Sequence, residues 1–242
     1  MSDGPTMRAA IFEAHGAPFR LATLARPEPR AGEVLVRIAA SGVNPLDLKI
    51  HEGVAAHARH QPPAVLGLDL AGTVEAVGPN VAEFRKGDAV YGMTGGVGGH
   101  QGTLAGFAAV DANLLASKPA NLSMREAAAL PLVAITAWEG LVDRAAMHAG
   151  QKVLIHGGAG GVGHVAIQIA KARGAEVFAT GSAQSRTYIE GLGAGFIDYR
   201  NETVEAYVTA RRGAPGSTSS TIPLAGPPSM LPFRPCAASA MW

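Results

Sequence analysis

Lys152-Val153-Leu154-Ile155-His156-Gly157-Gly158-Ala159-Gly160-Gly161-Val162-Gly163 is the stretch on which the fold turns. Its opening residues form an apolar run of the length of a buried strand. Gly158, Gly160 and Gly163 then fit the spacing G-x-G-x-x-G. His164 to Ala172 continues as a helix, and Ala175 to Thr180 returns to a strand. Strand, glycine turn, helix and strand in about thirty residues make a dinucleotide-binding βαβ unit. Each glycine has a task. Gly158 permits the tight turn, Gly160 lets the backbone approach a pyrophosphate, and Gly163 lets the helix pack on the strand. Ala159, Gly161 and Val162 complete the turn, and the helix start offers unpaired N–H groups and a favourable dipole to the anion.

The end of the second strand selects the cofactor. An NAD site holds an acidic residue about twenty residues after the motif, bonded to the ribose 2′-hydroxyl. Val177 to Arg186 contains no Asp or Glu and offers Gly181, Ser182, Ser185 and Arg186 instead. A guanidinium and a hydroxyl suit a 2′-phosphate that a carboxylate would repel. The expected cofactor is NADPH. A solvated helix residue is the other reading of Arg186.

Upstream, Ser123 with Glu126 three residues on forms a capping box, a second helical stretch follows near Ile135 to Ala145, and Gly150 closes the helical region. Glu33 to Ala39 alternates apolar and polar residues as a half-buried strand does. Val65 to Gly78 reads as strands with bulges, and Lys86 to Gly92 as a turn and a strand. Short strands between Gly and Pro turns point to a compact β-barrel-like domain.

The first half also carries a resemblance. Gly32-Glu33-Val34-Leu35-Val36-Arg37, Ser41-Gly42-Val43-Asn44-Pro45-Leu46-Asp47, Leu66-Gly67-Leu68-Asp69-Leu70-Ala71-Gly72 and Lys86-Gly87-Asp88-Ala89-Val90-Tyr91-Gly92 resemble the quinone oxidoreductase (zeta-crystallin-like) branch of the medium-chain dehydrogenase/reductases. The match runs from about Met7 to Tyr207. It implies an α/β protein: a GroES-like β-barrel substrate domain over 1–121, then an incomplete Rossmann domain, a doubly wound parallel sheet, over 122–212. Zinc-dependent members carry a Cys near Val43-Asn44-Pro45 and a Gly-His-Glu where this chain has Gly67-Leu68-Asp69. Leu68 cannot ligate a metal, and the lone cysteine, Cys236, lies in the tail, so no metal site is expected. The cluster His51, His57, His60 matches no zinc pattern and reads as an exposed loop. Gly95 to His100 reads as a flexible turn, since no helical pattern follows it.

The resemblance implies hydride transfer from NADPH to a small quinone or enone, because a simple ketone is hard to reduce without a Lewis acid. It places Asn44 and Asp47 on the loop facing the nicotinamide and matches Thr136 to a nicotinamide contact. Asn44 is equally a turn former before Pro45, and Thr136 equally a buried helix residue. Lys49 is a weak candidate acid, so water or substrate supplies the proton. Tyr199 matches a tyrosine near the adenosine phosphate, and Arg186 stands in for a lysine of relatives.

Composition excludes other classes. Twenty basic residues against nineteen acidic ones give no electrostatic reason for a nucleic-acid or membrane partner. No apolar run is long enough to span a bilayer, and the first residues lack a signal-peptide pattern, so a cytoplasmic enzyme is expected. Residues 213–242 break the pattern, with six Pro, one Arg and no Lys, Asp or Glu. They read as an aberrant, disordered tail. A reading-frame shift near Ala210 to Gly213 is the leading explanation, and a natural tail the rival. On that reading the chain is truncated and lacks the strand through which relatives dimerise, and weak stability and activity are expected.

Overall fold

The computed structural model describes residues 4–211 and 219–221. The chain divides into two compact units, Met1–Val133 and Ala134–Trp242. In the first, β1 (Thr6–Phe12) pairs antiparallel with β2 (Arg20–Ala25). β3 (Glu33–Gly42) leads to α1 (Pro45–His51) and β4 (Ala64–Val65), which pairs on the other side of β1. β5 (Asp69–Val77), β6 (Ala89–Met93), β7 (Phe107–Asp111) and β8 (Ala116–Ser117) join β3 in a five-stranded sheet of order β7-β3-β5-β6-β8. Backbone bonds from Ile38 to Gly106 and from Gly106 to Arg8 tie the two sheets together. This is the expected GroES-like barrel.

The expected alternation of β3 holds only in part, because Val34, Leu35 and Val36 are all buried. Val34 and Val36 are fully buried with Leu70, Val74, Val90, Ala108 and Val110, while Arg37 on the opposite face meets Glu75. The register between β3 and β5 slips between Leu35 and Val36 and between Ile38 and Ala40, so the expected irregularities fall on both strands. A Cβ on Gly72 would collide with the carbonyl oxygen of Arg37, so the glycine is needed where the strands approach most closely. α2 (Met124–Ala128) carries the capping box, with Glu126 Oε2 accepting from Ser123 N–H at 2.8 Å. Its Ala127 and Ala128 pack on Ala71 of β5, so the helix belongs to the first unit, and the division falls at 133/134 instead of 121/122.

The expected helix at 135–145 is α3 (Pro131–Trp138), running into a π-helical turn (Glu139–Arg144). It begins earlier because Pro131 suits a first helical turn. It also ends before Gly150, whose φ of +81° serves the turn into the next strand. The second unit then runs β9 (Lys152–Ile155), α4 (Gly161–Ala172), β10 (Glu176–Gly181), α5 (Arg186–Gly191), β11 (Gly195–Asp198), α6 (Val204–Arg211) and β12 (Ser219–Thr221). The sheet is parallel with order β11-β10-β9-β12. Val153, Ile155, Ile167, Val177, Ala179, Ile189 and Ile197 fill its core. The order steps away from β9 in both directions, as in a doubly wound nucleotide fold, which makes the C-terminal ends of these strands the place for a ligand.

β12 corrects one expectation. The composition of 213–242 suggests no strand, yet Ser219 to Thr221 pair with Lys152 to Leu154. The remaining tail readings concern residues outside those described. The histidines are a second correction. His57 is exposed, but His60 is buried with Nε2 facing the Val65 carbonyl, and the His51 ring stacks on Phe19 at 4.8 Å. Two of the three are thus engaged, His60 by a main-chain carbonyl and His51 by ring stacking and the Ala17 carbonyl. No described helix is long and apolar enough to cross a membrane.

Candidate active site

The glycine turn links β9 to α4. Gly157 takes the left-handed conformation at φ +67°, so the tight bend falls one residue before the expected Gly158. Gly158 is needed for space: a Cβ there would lie 2.6 Å from Ala179 Cβ and 3.1 Å from Ile167 Cδ1. A Cβ on Gly163 would overlap the Gly157 carbonyl oxygen, so this glycine lets the start of α4 approach the turn. Gly160 is the N-cap of α4, and its N–H bonds Gly157 O at 2.8 Å. Gly161, Val162 and Gly163 then form the first helical turn, where N–H groups have no acceptor within the helix. Ala159, Gly160 and Gly161 are exposed on the outer side of the turn. The cradle admits backbone where side chains would fill it, which fits a pyrophosphate.

The ends of β10 and β11 lie beside this turn in the same sheet. Gly181 pairs with Asp198, so Ser182 and Tyr199 are the next residues on neighbouring strand ends. The Ser182 carbonyl accepts from Ser185 Oγ at 2.8 Å and so shapes the entry to α5. Arg186 opens α5, half exposed, with its guanidinium 4.4 Å from the Phe196 ring centroid. It also pairs with Glu190 at 3.2 Å, a carboxylate one helical turn beyond the Val177–Arg186 segment. Tyr199 is 38% exposed, and Arg200 lies 5.7 Å over its ring. Arg200 was legible in the triplet Asp198-Tyr199-Arg200 and adds a second cation at this edge.

In the first unit Asn44, Asp47 and Asp69 form one buried network. Asn44 caps α1 with Pro45 next, as a turn former does. Its N–H bonds Asp47 Oδ2 at 2.7 Å, and its Nδ2 donates to Asp69 Oδ2 at 2.9 Å. Asp47 Oδ1 accepts from Gly67 N–H at 3.0 Å, and Asp69 Oδ1 from Leu132 N–H at 3.0 Å. Both oxygens of Asp47 are thus engaged by main chain, which makes it a brace for the loop more than a proton carrier. Burial raises the pKa of Asp69 to about 6 against the pull of the Asn44 and Leu132 hydrogen bonds, and burial likewise raises that of Asp47. The Ser41 and Thr103 hydroxyls bond each other at 2.5 Å, and their oxygens lie 3.1 and 2.9 Å from the Asp69 carbonyl oxygen, to which one of the two donates. Asp69 was visible only as the residue standing where zinc-dependent members have Glu; its partners needed the fold. Lys49 is exposed. Thr136 is exposed on α3 in the second unit, which overturns its reading as a buried helix residue. Among the described residues no three His, Cys, Asp or Glu side chains converge as a metal-binding group.

Residues 30–120 match the alcohol dehydrogenase GroES-like domain. An alcohol dehydrogenase superfamily protein from Novosphingobium aromaticivorans superposes with a TM-score of 0.83 at 63% identity, over 85% of this chain and 62% of that one. An NAD-dependent alcohol dehydrogenase superposes at 0.80 with 36% identity, over 87% and 69%. The 2-methylene-furan-3-one reductase of Solanum lycopersicum is 41% identical over 189 residues, 75% of this chain. The chain spans about half of that reductase's length, 48%. With a GroES-like unit, a parallel nucleotide-type sheet and these relatives, the chain belongs to the medium-chain dehydrogenase/reductase family of oxidoreductases.

Proposed function

We propose that the chain transfers hydride from NADPH to a quinone or an α,β-unsaturated carbonyl compound, without zinc. One observation carries the choice of cofactor: the end of β10 presents Ser182 and Arg186, with Tyr199 and Arg200 on the next strand end, and no carboxylate between Val177 and Arg186. A 2′-phosphate finds hydroxyl and guanidinium donors there. The turn Gly158–Gly163 takes the pyrophosphate on the N-terminus of α4.

NADPH supplies the hydride, and the protein supplies orientation. Asn44 is the proposed contact to the cofactor ribose or the substrate carbonyl, held in place by Asp47 and Asp69, and Thr136 the proposed nicotinamide contact. Leu68 and the Val43-Asn44-Pro45 segment carry no thiolate or imidazole, so no Lewis acid is assigned. Electron-poor conjugated acceptors suit that chemistry, and the Solanum lycopersicum relative is named for such an enone. Water or the substrate provides the proton.

The test is titration of the purified chain with NADPH and NADH, beside turnover on a panel of quinones and enones and a metal assay. NADPH is expected to bind more tightly. Arg186→Ala should weaken NADPH about tenfold, the scale of one charge-assisted hydrogen bond, and leave NADH unchanged. Equal losses for both would sink the assignment. So would tighter binding of NADH, the preference that the 36%-identical NAD-dependent alcohol dehydrogenase is named for. Binding without turnover would support a second reading, a nucleotide-binding chain without catalysis.

A further inference from the structure

The last residue pair joining β9 to β10 is Ile155 with Ala179, and immediately beyond it the glycine turn begins on one strand while Thr180 follows on the other. Thr180 is 4% exposed and meets the turn twice. Its carbonyl oxygen accepts from Gly158 N–H at 2.9 Å. Its hydroxyl oxygen accepts from Gly157 N–H at 3.0 Å, while the same Oγ1 lies 3.5 Å from His156 Nδ1. We infer that Thr180 is a positioning residue of the dinucleotide turn: it fixes Gly157 and Gly158, and through them the start of α4. This rests on the nucleotide reading of the glycine motif and adds to it a residue outside that motif.

Gly157 sits at φ +67° with open space where a side chain would be, so packing does not hold it. A glycine free of side-chain contacts samples both signs of φ. The two bonds to Thr180 remove that freedom from one side. On the other side, the Gly157 carbonyl accepts from Gly160 N–H at 2.8 Å, and Gly160 is the N-cap of α4. A continuous path therefore runs from the hydroxyl of Thr180, through Gly157, to the cap whose following N–H groups face an anion. Thr suits the position because its branched Cβ restricts the rotamer that aims Oγ1. Valine has the same shape without the acceptor, so Thr180→Val would strand the Gly157 N–H while keeping the packing of β10.

Two measurements on the full chain test this, with Thr180→Val and Thr180→Ser. The first, on the unliganded protein, is hydrogen exchange of the Gly157 amide. Exchange should accelerate about tenfold or more in the Val variant and stay near wild type in the Ser variant, which keeps the oxygen. The second is NADPH titration followed by nicotinamide fluorescence. Affinity should fall about tenfold in the Val variant and recover to within about threefold in the Ser variant. Unchanged Gly157 protection in the Val variant would overturn the inference. So would lost protection with undiminished affinity, or an equal loss of affinity in the Ser variant, since the hydroxyl would then not be what positions the turn. If the wild type binds neither NADPH nor NADH, the nucleotide reading falls, while the exchange measurement still decides whether Thr180 holds the turn.

Discussion

At the scale of single residues, the glycines of the turn do different work, and the difference is measurable. Gly157 supplies a left-handed bend in open space, whereas Gly163 supplies room against a main-chain oxygen that cannot move aside. Gly157→Ala should cost about 1 kcal/mol in stability, the ordinary strain of an alanine at positive φ. Gly163→Ala should cost more, about 2–3 kcal/mol, because α4 must shift from the turn. It should also weaken dinucleotide binding at least about tenfold. Equilibrium unfolding and NADPH titration of both variants check the order; equal effects would show that close packing at Gly163 is unimportant. The spacing of the motif was enough to find this site. Which glycine bends and which packs was not legible, because that depends on Ala179, Ile167 and Thr180 from elsewhere in the fold.

At the scale of elements, local chemistry was readable where it closes on itself. The Ser123–Glu126 box forms as the four-residue spacing suggests, with Glu126 N–H also bonding Ser123 Oγ at 3.3 Å. Ser123→Ala should remove about 1 kcal/mol and lower the melting temperature by a few degrees. A thermal scan with no shift would mean that the packing of Ala127 and Ala128 on Ala71 holds α2 without its cap. That same packing decided which unit the helix joins, and no local signal carried it. β12 shows the limit from the other side. Ser-Ser-Thr has no strand pattern, and the free edge of β9 recruits it through main-chain bonds that are indifferent to side-chain type.

At the scale of the whole molecule, the buried carboxylates set a pH dependence. The folded state holds the Asp69 proton up to a pH of about 6, whereas an unfolded chain releases it near the ordinary carboxylate value. The folded state therefore binds more protons in that window, and stability falls as pH rises from about 4 to 6 and is level above it. The Asp69 share is at most about 3 kcal/mol, and Asp47 acts in the same direction. The half-buried Glu75 and the exposed Glu126, lowered by Lys86 and Ser123 hydrogen bonds, act in the opposite one. The difference between wild type and Asp69→Asn isolates the effect: the urea midpoint of the wild type should lose ground against the variant between pH 4.5 and 7. A difference independent of pH would mean that Asp69 ionises in the fold as freely as in water.

The residue order by itself determined the βαβ unit, the strands of the first half, the capping box and the absence of a carboxylate at the end of β10. Each depends on near neighbours in sequence, through side-chain alternation, turn conformation or a spacing that a helix imposes. The tertiary structure decided what those features meet: Thr180 beneath the turn, Glu190 beside Arg186, the tie from Asp69 to Asn44 and Leu132, and β12 at the sheet edge. These partners are separated along the chain by anything from four to more than sixty residues. Their meeting is settled by strand register and by the burial that forces each polar group to find a partner, and neither can be read from any one stretch of residues.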